Sequence, residues 1–298
     1  MPKLNFTQWK AHALLPLPRA GSAAGFVNGE IVVAGGSYWR DDKKFWTDQV
    51  NAFDLKTDRW STKPPMPKPC GDPATAVFGD TLYVFGGGAE AAAYSSAWSL
   101  RNNVWSELPQ LALPAPRRSA MAVVLDGTIY HLGGLTGLGS DFASATSTVW
   151  AAKPDGRWEE KAPMPGPPRF NPAVGVVSGL ILVAGGCAPE KGAVKNLDEV
   201  LAYSPATNTW KLVGSLPVAN RDAAGLADES GLVLLGGYTN SFEKGIVRYD
   251  LPTGEVRTLG QLPTGLAGHR FLSAGSRIFG VSGEDGVKMR FSGLIEAL

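Results

Sequence analysis

Short apolar runs bounded by glycine and proline punctuate this chain, the pattern expected of β-strands joined by tight turns. One kind of run recurs, an apolar stretch that ends in Gly-Gly: IVVAGG (31–36), TLYVFGG (81–87), TIYHLGG (128–134), LILVAGG (180–186) and LVLLGG (232–237). A sixth copy reads RIFGVSG (277–283), with Ser282 in place of the first glycine. The first positions of the six doublets are 35, 86, 133, 185, 236 and 282, so the intervals are 51, 47, 52, 51 and 46 residues.

A second marker follows each doublet. Trp60, Trp105, Trp158 and Trp210 stand in the first four copies and Val256 in the fifth. Each is preceded by an aromatic: Phe53, Trp98, Trp150, Tyr203 and Tyr249. In most copies a proline lies seven residues further on, at Pro67, Pro165, Pro217 and Pro263. Each unit therefore reads as four strands. Strand a is the apolar run after the proline, b ends in the doublet, c carries the aromatic and d the tryptophan. The sixth unit supplies a, b and c, with c expected over VKMRFSG (287–293), and then lacks d. Trp9, followed seven residues later by Pro16, supplies it: across the joined termini 51 residues separate Val256 from Trp9.

Radial repetition closed in this way removes the exposed edges that an open array would leave. The expected fold is all-β, a single six-bladed β-propeller domain over 1–298. Its blades are expected at about 17–66, 67–114, 115–165, 166–217, 218–263, and 264–298 joined by 1–16.

Antiparallel connectivity gathers the d-to-a links and the b-to-c loops at one face, around the central channel. The links carry Arg19, Arg117, Arg118, Arg169 and Arg221; blade 2 has Cys70 and Gly71 there, and blade 6 has Ala267 with His269 and Arg270 just beyond. Paired guanidinium donors around a concave mouth suit a carboxylate or another small anion. Arg19, Arg118, Arg169 and Arg221 are the candidate binding residues. The competing reading is that these arginines bond neighbouring turn carbonyls. The b-to-c loops are long in blades 1, 3 and 4, and that of blade 1, SYWRDDKKFWTD (37–48), holds Tyr38, Trp39, Phe45 and Trp46 among charges. It reads either as a lid or partner surface, or as a loop folded on its own side chains.

Composition narrows the chemistry. With 28 basic and 27 acidic residues the net charge is +1, which gives no field for nucleic acid and no polybasic segment for an anionic membrane. No stretch nears 18 consecutive apolar residues and MPKLNFTQWK has no signal-peptide core, so the expectation is cytoplasmic, or periplasmic if a leader was removed. Two cysteines, Cys70 and Cys187, read as free thiols. Three histidines (His12, His131, His269) are too few for a copper or zinc centre, and His131, inside a strand-like run, reads as a packed side chain. There is no P-loop or dinucleotide fingerprint, and no cofactor or metal is expected.

The period, the doublets and the Trp/Pro spacing resemble the kelch repeat over the whole chain. Within kelch propellers, the closest subgroup on two features is the N-acetylneuraminate epimerase (sialic acid mutarotase) family. The first is Gly283-Glu284 followed by Arg290, similar to that family's Gly-Glu-x5-Arg motif. The second is blade order: the next blade round the ring opens with AGSAAGFVNGEIVVAGG (20–36), as if the chain were cyclically permuted. The resemblance implies a Glu284/Arg290 catalytic pair, with Glu284 moving a proton between the anomeric hydroxyl and the ring oxygen of a sugar acid. Arg290 and the link arginines would hold the sugar's carboxylate. The alternative is a non-enzymatic kelch module that binds a protein or peptide at the same face, setting arginines against acidic side chains and using the blade 1 aromatics as anchors.

Overall fold

The computed structural model describes residues 6–298; positions 1–5 of the closing segment lie outside the described residues. Six four-stranded antiparallel sheets surround a central channel. Blade 1 runs outwards through Ala23–Val27, Glu30–Ala34, Val50–Asp54 and Arg59–Lys63. The inner strands of the next four blades are Ala74–Phe78, Met121–Leu125, Ala173–Val177 and Ala224–Ala227. Blade 6 is stitched from both chain ends. Arg270–Ala274, Arg277–Val281 and Leu294–Ala297 supply three strands, and Trp9–Ala11 pairs outside them with Trp9 opposite Ala297 and Ala11 opposite Ile295. The sixth inner strand also packs against the first, so the ring is closed.

One strand differs from its sequence assignment. Strand c of blade 6 is Leu294–Ala297, and 287–293 belongs to the loop before it. Burial decides this: Leu294 and Ile295 are enclosed, whereas Val287 is 81% exposed, and Lys288 takes a left-handed φ of 59° that breaks a strand.

Six apolar cores fill the wedges between successive blades, one for each of the six neighbouring pairs. The tryptophans staple these wedges. Each indole N–H donates to a carbonyl at the end of the preceding blade: Trp60 to Ala13, Trp105 to Pro64, Trp158 to Leu111, Trp210 to Ala162 and Trp9 to Gln261. Such a bond contributes about 1 kcal/mol beyond the ring's apolar burial. Blade 5 has Val256 at this place, and there the Tyr249 hydroxyl donates to the Val213 carbonyl instead. Tyr249 reaches it over Gly214, where a β-carbon would lie 2.7 Å from the tyrosine oxygen.

The doublets need left-handed backbone. At Gly35, φ is +64° and a β-carbon would sit 2.4 Å from the Cys70 carbonyl oxygen. Ser282 adopts the same conformation (φ 63°), and its hydroxyl donates to the Arg19 carbonyl at 2.5 Å. The closing seam has its own polar tie. His12 pairs through one ring nitrogen with Asp58 (2.5 Å) and through the other with Glu296 (2.9 Å), and Arg277 donates twice to Glu296.

Candidate functional site

Every d-to-a link makes the same three-residue turn, and the turn sorts its side chains. First positions are Arg19, Cys70, Arg117, Arg169, Asn220 and Leu266; each carbonyl accepts the N–H of the doublet's second glycine in the preceding blade, at 2.7–3.0 Å. Second positions are Ala20, Gly71, Arg118, Phe170, Arg221 and Ala267. Each bridges the residue after its own blade's doublet, from Ala20 with Ser37 to Ala267 with Glu284. Third positions are Gly21, Asp72, Ser119, Asn171, Asp222 and Gly268, all left-handed at φ 51–63°. Glycine, Asn and Asp are the residues that take this conformation at least cost. From Asp72 round to Gly268, the N–H of each third position donates to the third-position carbonyl of the blade before it.

Second and third positions, with the b-to-c loops, enclose a cavity of about 510 Å³ at the mouth of the channel. Five cations face it (Lys44, Arg118, Arg221, Lys288 and Arg290) against three carboxylates, Asp72, Asp222 and Glu284. Arg118 is held by the blade 3 loop, its Nε donating to the Gly137 carbonyl at 2.7 Å and an amino group to that of Gly139 at 2.5 Å. Arg221 stacks over Tyr238, 4.5 Å from the ring centre, and donates to the Asn196 side chain at 2.6 Å. Arg290 meets Glu284 at 3.2 Å and donates to the Ser37 carbonyl at 3.2 Å, which ties blade 6 to blade 1. Burial raises the Glu284 carboxyl against the pull of Arg290. Burial also pushes Asp222 up to about 7, with Arg221 pulling down and Glu284 and Asp72 pushing up.

The blade 1 loop is a hairpin, Ser37–Arg40 paired with Lys43–Trp46. Lys288 pairs with Asp42 at 2.8 Å and lies 5.2 Å from the Trp39 ring centre, so this hairpin and the blade 6 loop form one lip.

Residues 1–134 match the KLHDC2/KLHL20/DRC7 kelch-repeats domain, and residues 168–217 match the kelch motif. The chain is a kelch-repeat β-propeller. It is 28% identical to kelch-like protein terF of Aspergillus terreus over 77% of this chain and 52% of that protein. It is 26% identical to alpha-scruin of Limulus polyphemus over 88% of this chain and 30% of the scruin. To human kelch-like protein 34 the identity is 28%, over 88% of this chain and 42% of that protein. The chain thus spans about half the length of these relatives or less.

In this kelch propeller Glu284, Arg290, Arg118 and Arg221 meet at one cavity, as their places in the links and loops suggest. Arg19 and Arg169 do not, which corrects their assignment as ligand contacts. Arg19 is wholly buried and donates to Asn51 (3.0 Å) and to the Leu17 and Val33 carbonyls. Its guanidinium is held down to about 10 by burial. Arg169, 1% exposed, donates to the Gly185 carbonyl and to Glu199. Both occupy first positions, whose side chains turn into their own blade. Arg117 does the same, lying 4.4 Å from the Trp150 ring centre. His131 is buried against Trp150 and Trp158, and burial holds its imidazole down to about 3. Cys70 and Cys187 are buried free thiols.

Two contributors escape a search for arginines and the Gly-Glu-x5-Arg pattern. Asp72 and Asp222 are visible only once CGDP (70–73) and NRDA (220–223) are aligned on the third position. Arg270 stands where four other blades have alanine (Ala23, Ala74, Ala173 and Ala224). It lines the channel below the ring and donates to the carbonyls of Ser22 (3.1 Å) and Pro73 (3.4 Å).

Proposed function

We propose that this kelch propeller is a binding module whose mouth takes an acidic segment of a protein partner, with Arg118 and Arg221 pairing its carboxylates. The observation that carries this is the immobilisation of both guanidiniums beside one cavity. A receptor whose donors are fixed before binding loses little entropy on capturing a carboxylate. A peptide fits better than a small free acid because the lip continues outwards as apolar surface. Val287 and Met289 are 81% and 60% exposed next to the aromatic hairpin, a patch of the kind that partners cover.

The test is fluorescence anisotropy with two labelled peptides, one of alternating aspartate and leucine and one with asparagine in place of aspartate. Saturable binding of the acidic peptide, weakened by added salt, is the expected result. Equal binding of both peptides, or of neither, overturns the proposal.

A second reading, a sugar-acid mutarotase acting on N-acetylneuraminate or a related acid, has one specific observation in its favour. Glu284 and Arg290 pair at 3.2 Å in the cavity wall, and burial raises the Glu284 carboxyl above its ordinary value against the pull of Arg290. Saturation-transfer NMR on free sialic acid decides it. Catalytic amounts of wild-type protein that exchange the anomers no faster than Glu284→Gln would remove this reading.

A further inference from the structure

Arg221, assigned above to the partner's carboxylate, already has a carboxylate beside it. Oδ2 of Asp222 lies 3.4 Å from its Nε, and both side chains border the same cavity. One guanidinium therefore faces an internal and an external claimant. We infer that Asp222 is a proton-operated competitor at the mouth: ionised, it holds Arg221; protonated, it yields that guanidinium to an acidic ligand. The inference rests on the binding role proposed for Arg221.

The surroundings of Asp222 set the direction. Arg221 faces it from its own link, Arg270 and Glu284 from blade 6, Asp72 from blade 2, and the buried thiol of Cys187 from blade 4. Burial is the largest influence and, with Glu284 and Asp72, outweighs the two arginines, placing the carboxyl at about 7. A ligand carboxylate arriving at Arg221 adds negative charge next to Asp222, so the complex holds the proton more tightly than the free protein does. By linkage, affinity for an acidic ligand then rises as pH falls. Ligand carboxylates ionise near pH 4, so between pH 6 and 8 the change belongs to the protein. If only the protonated form binds, affinity falls about tenfold from pH 6 to pH 8. His131 and His269, each held down to about 3 by burial, contribute nothing in that window. Glu284 is also raised, and a variant at 222 separates the two.

Asparagine is a suitable replacement. Asn171 occupies the same place in the ring at φ 51°, against 58° for Asp222, so Asp222→Asn keeps the backbone and removes the competing charge together with its titration. The experiment follows the Asp222 carboxyl carbon and the Arg221 Nε by NMR in the full chain from pH 5 to 9, alongside anisotropy of a labelled penta-aspartate probe. Expected are a shared midpoint near 7, probe affinity about tenfold higher at pH 6 than at pH 8, and an Asp222→Asn variant that binds tightly and without pH dependence. A carboxyl that titrates near 4, an Arg221 signal indifferent to it, or an Asp222→Asn variant that keeps the wild-type slope each overturns the inference. If the probe binds at no pH while the two side chains still titrate together, the binding role of Arg221 falls and the internal switch stands.

Discussion

Arg117 and Arg118 are neighbours with the same side chain, yet one is structural and the other faces the mouth. Arg117 turns into blade 3, over Trp150 and onto the Thr148 hydroxyl at 3.0 Å. Arg118, one residue on, lines the cavity. The same division holds between blades: Arg19 and Arg169 stand with Arg117, and Arg221 stands with Arg118. Extended backbone sends successive side chains to opposite sides, so place in the turn, and not residue type, assigns the role. A ring of arginines counted from sequence is therefore two sets with different physics. Buried guanidiniums donate to carbonyls and side chains of their own blade, and those at the second position border the mouth cavity, where the proposed binding role lies.

The contrast can be broken by substitution. The largest effect is expected at Arg19. Replacement by alanine removes the guanidinium's bonds to the Asn51 side chain and the Val33 carbonyl and leaves a void, costing roughly 3 kcal/mol in urea denaturation. Next comes the mouth. Arg118→Ala or Arg221→Ala is expected to weaken acidic-peptide binding roughly 10- to 100-fold, the worth of one charged hydrogen-bonding group, while moving stability by less than about 1 kcal/mol. A stability loss there as large as that of Arg19→Ala would erase the distinction. The smallest effect sharpens it: Arg221→Lys keeps the charge but gives up the planar stack on Tyr238, for a loss of roughly threefold in affinity by the same assay.

Much of the fold was legible because its signals are local. Doublets, tryptophans and prolines recur at similar intervals, and the structure shows the physical duty of the doublets and the tryptophans. The missing tryptophan at Val256 was legible as a gap but not as a repair, since the Tyr249 hydroxyl replaces its bond from another strand. Strand c of blade 6 was misplaced because VKMRFSG looks apolar enough for a strand, whereas the closing pairing with Trp9–Ala11 selects Leu294–Ala297. In the site, Glu284, Arg290, Arg118 and Arg221 could be placed from topology alone. The fates of Arg19 and Arg169 could not, because inward and cavity-facing positions differ by a single residue and the link lengths vary. Asp72 and Asp222 carry no motif; their importance comes from a left-handed turn that brings them into one ring.

The central claim is that the second-position arginines, and not the first-position ones, receive the partner. Calorimetric titration of the aspartate–leucine peptide into wild type, Arg118→Ala/Arg221→Ala and Arg117→Ala tests it most directly, with thermal melts to confirm folding. Loss of binding in the double variant at an unchanged melting temperature, with Arg117→Ala binding as wild type while melting lower, is the predicted result. Undiminished affinity in the double variant would contradict the account.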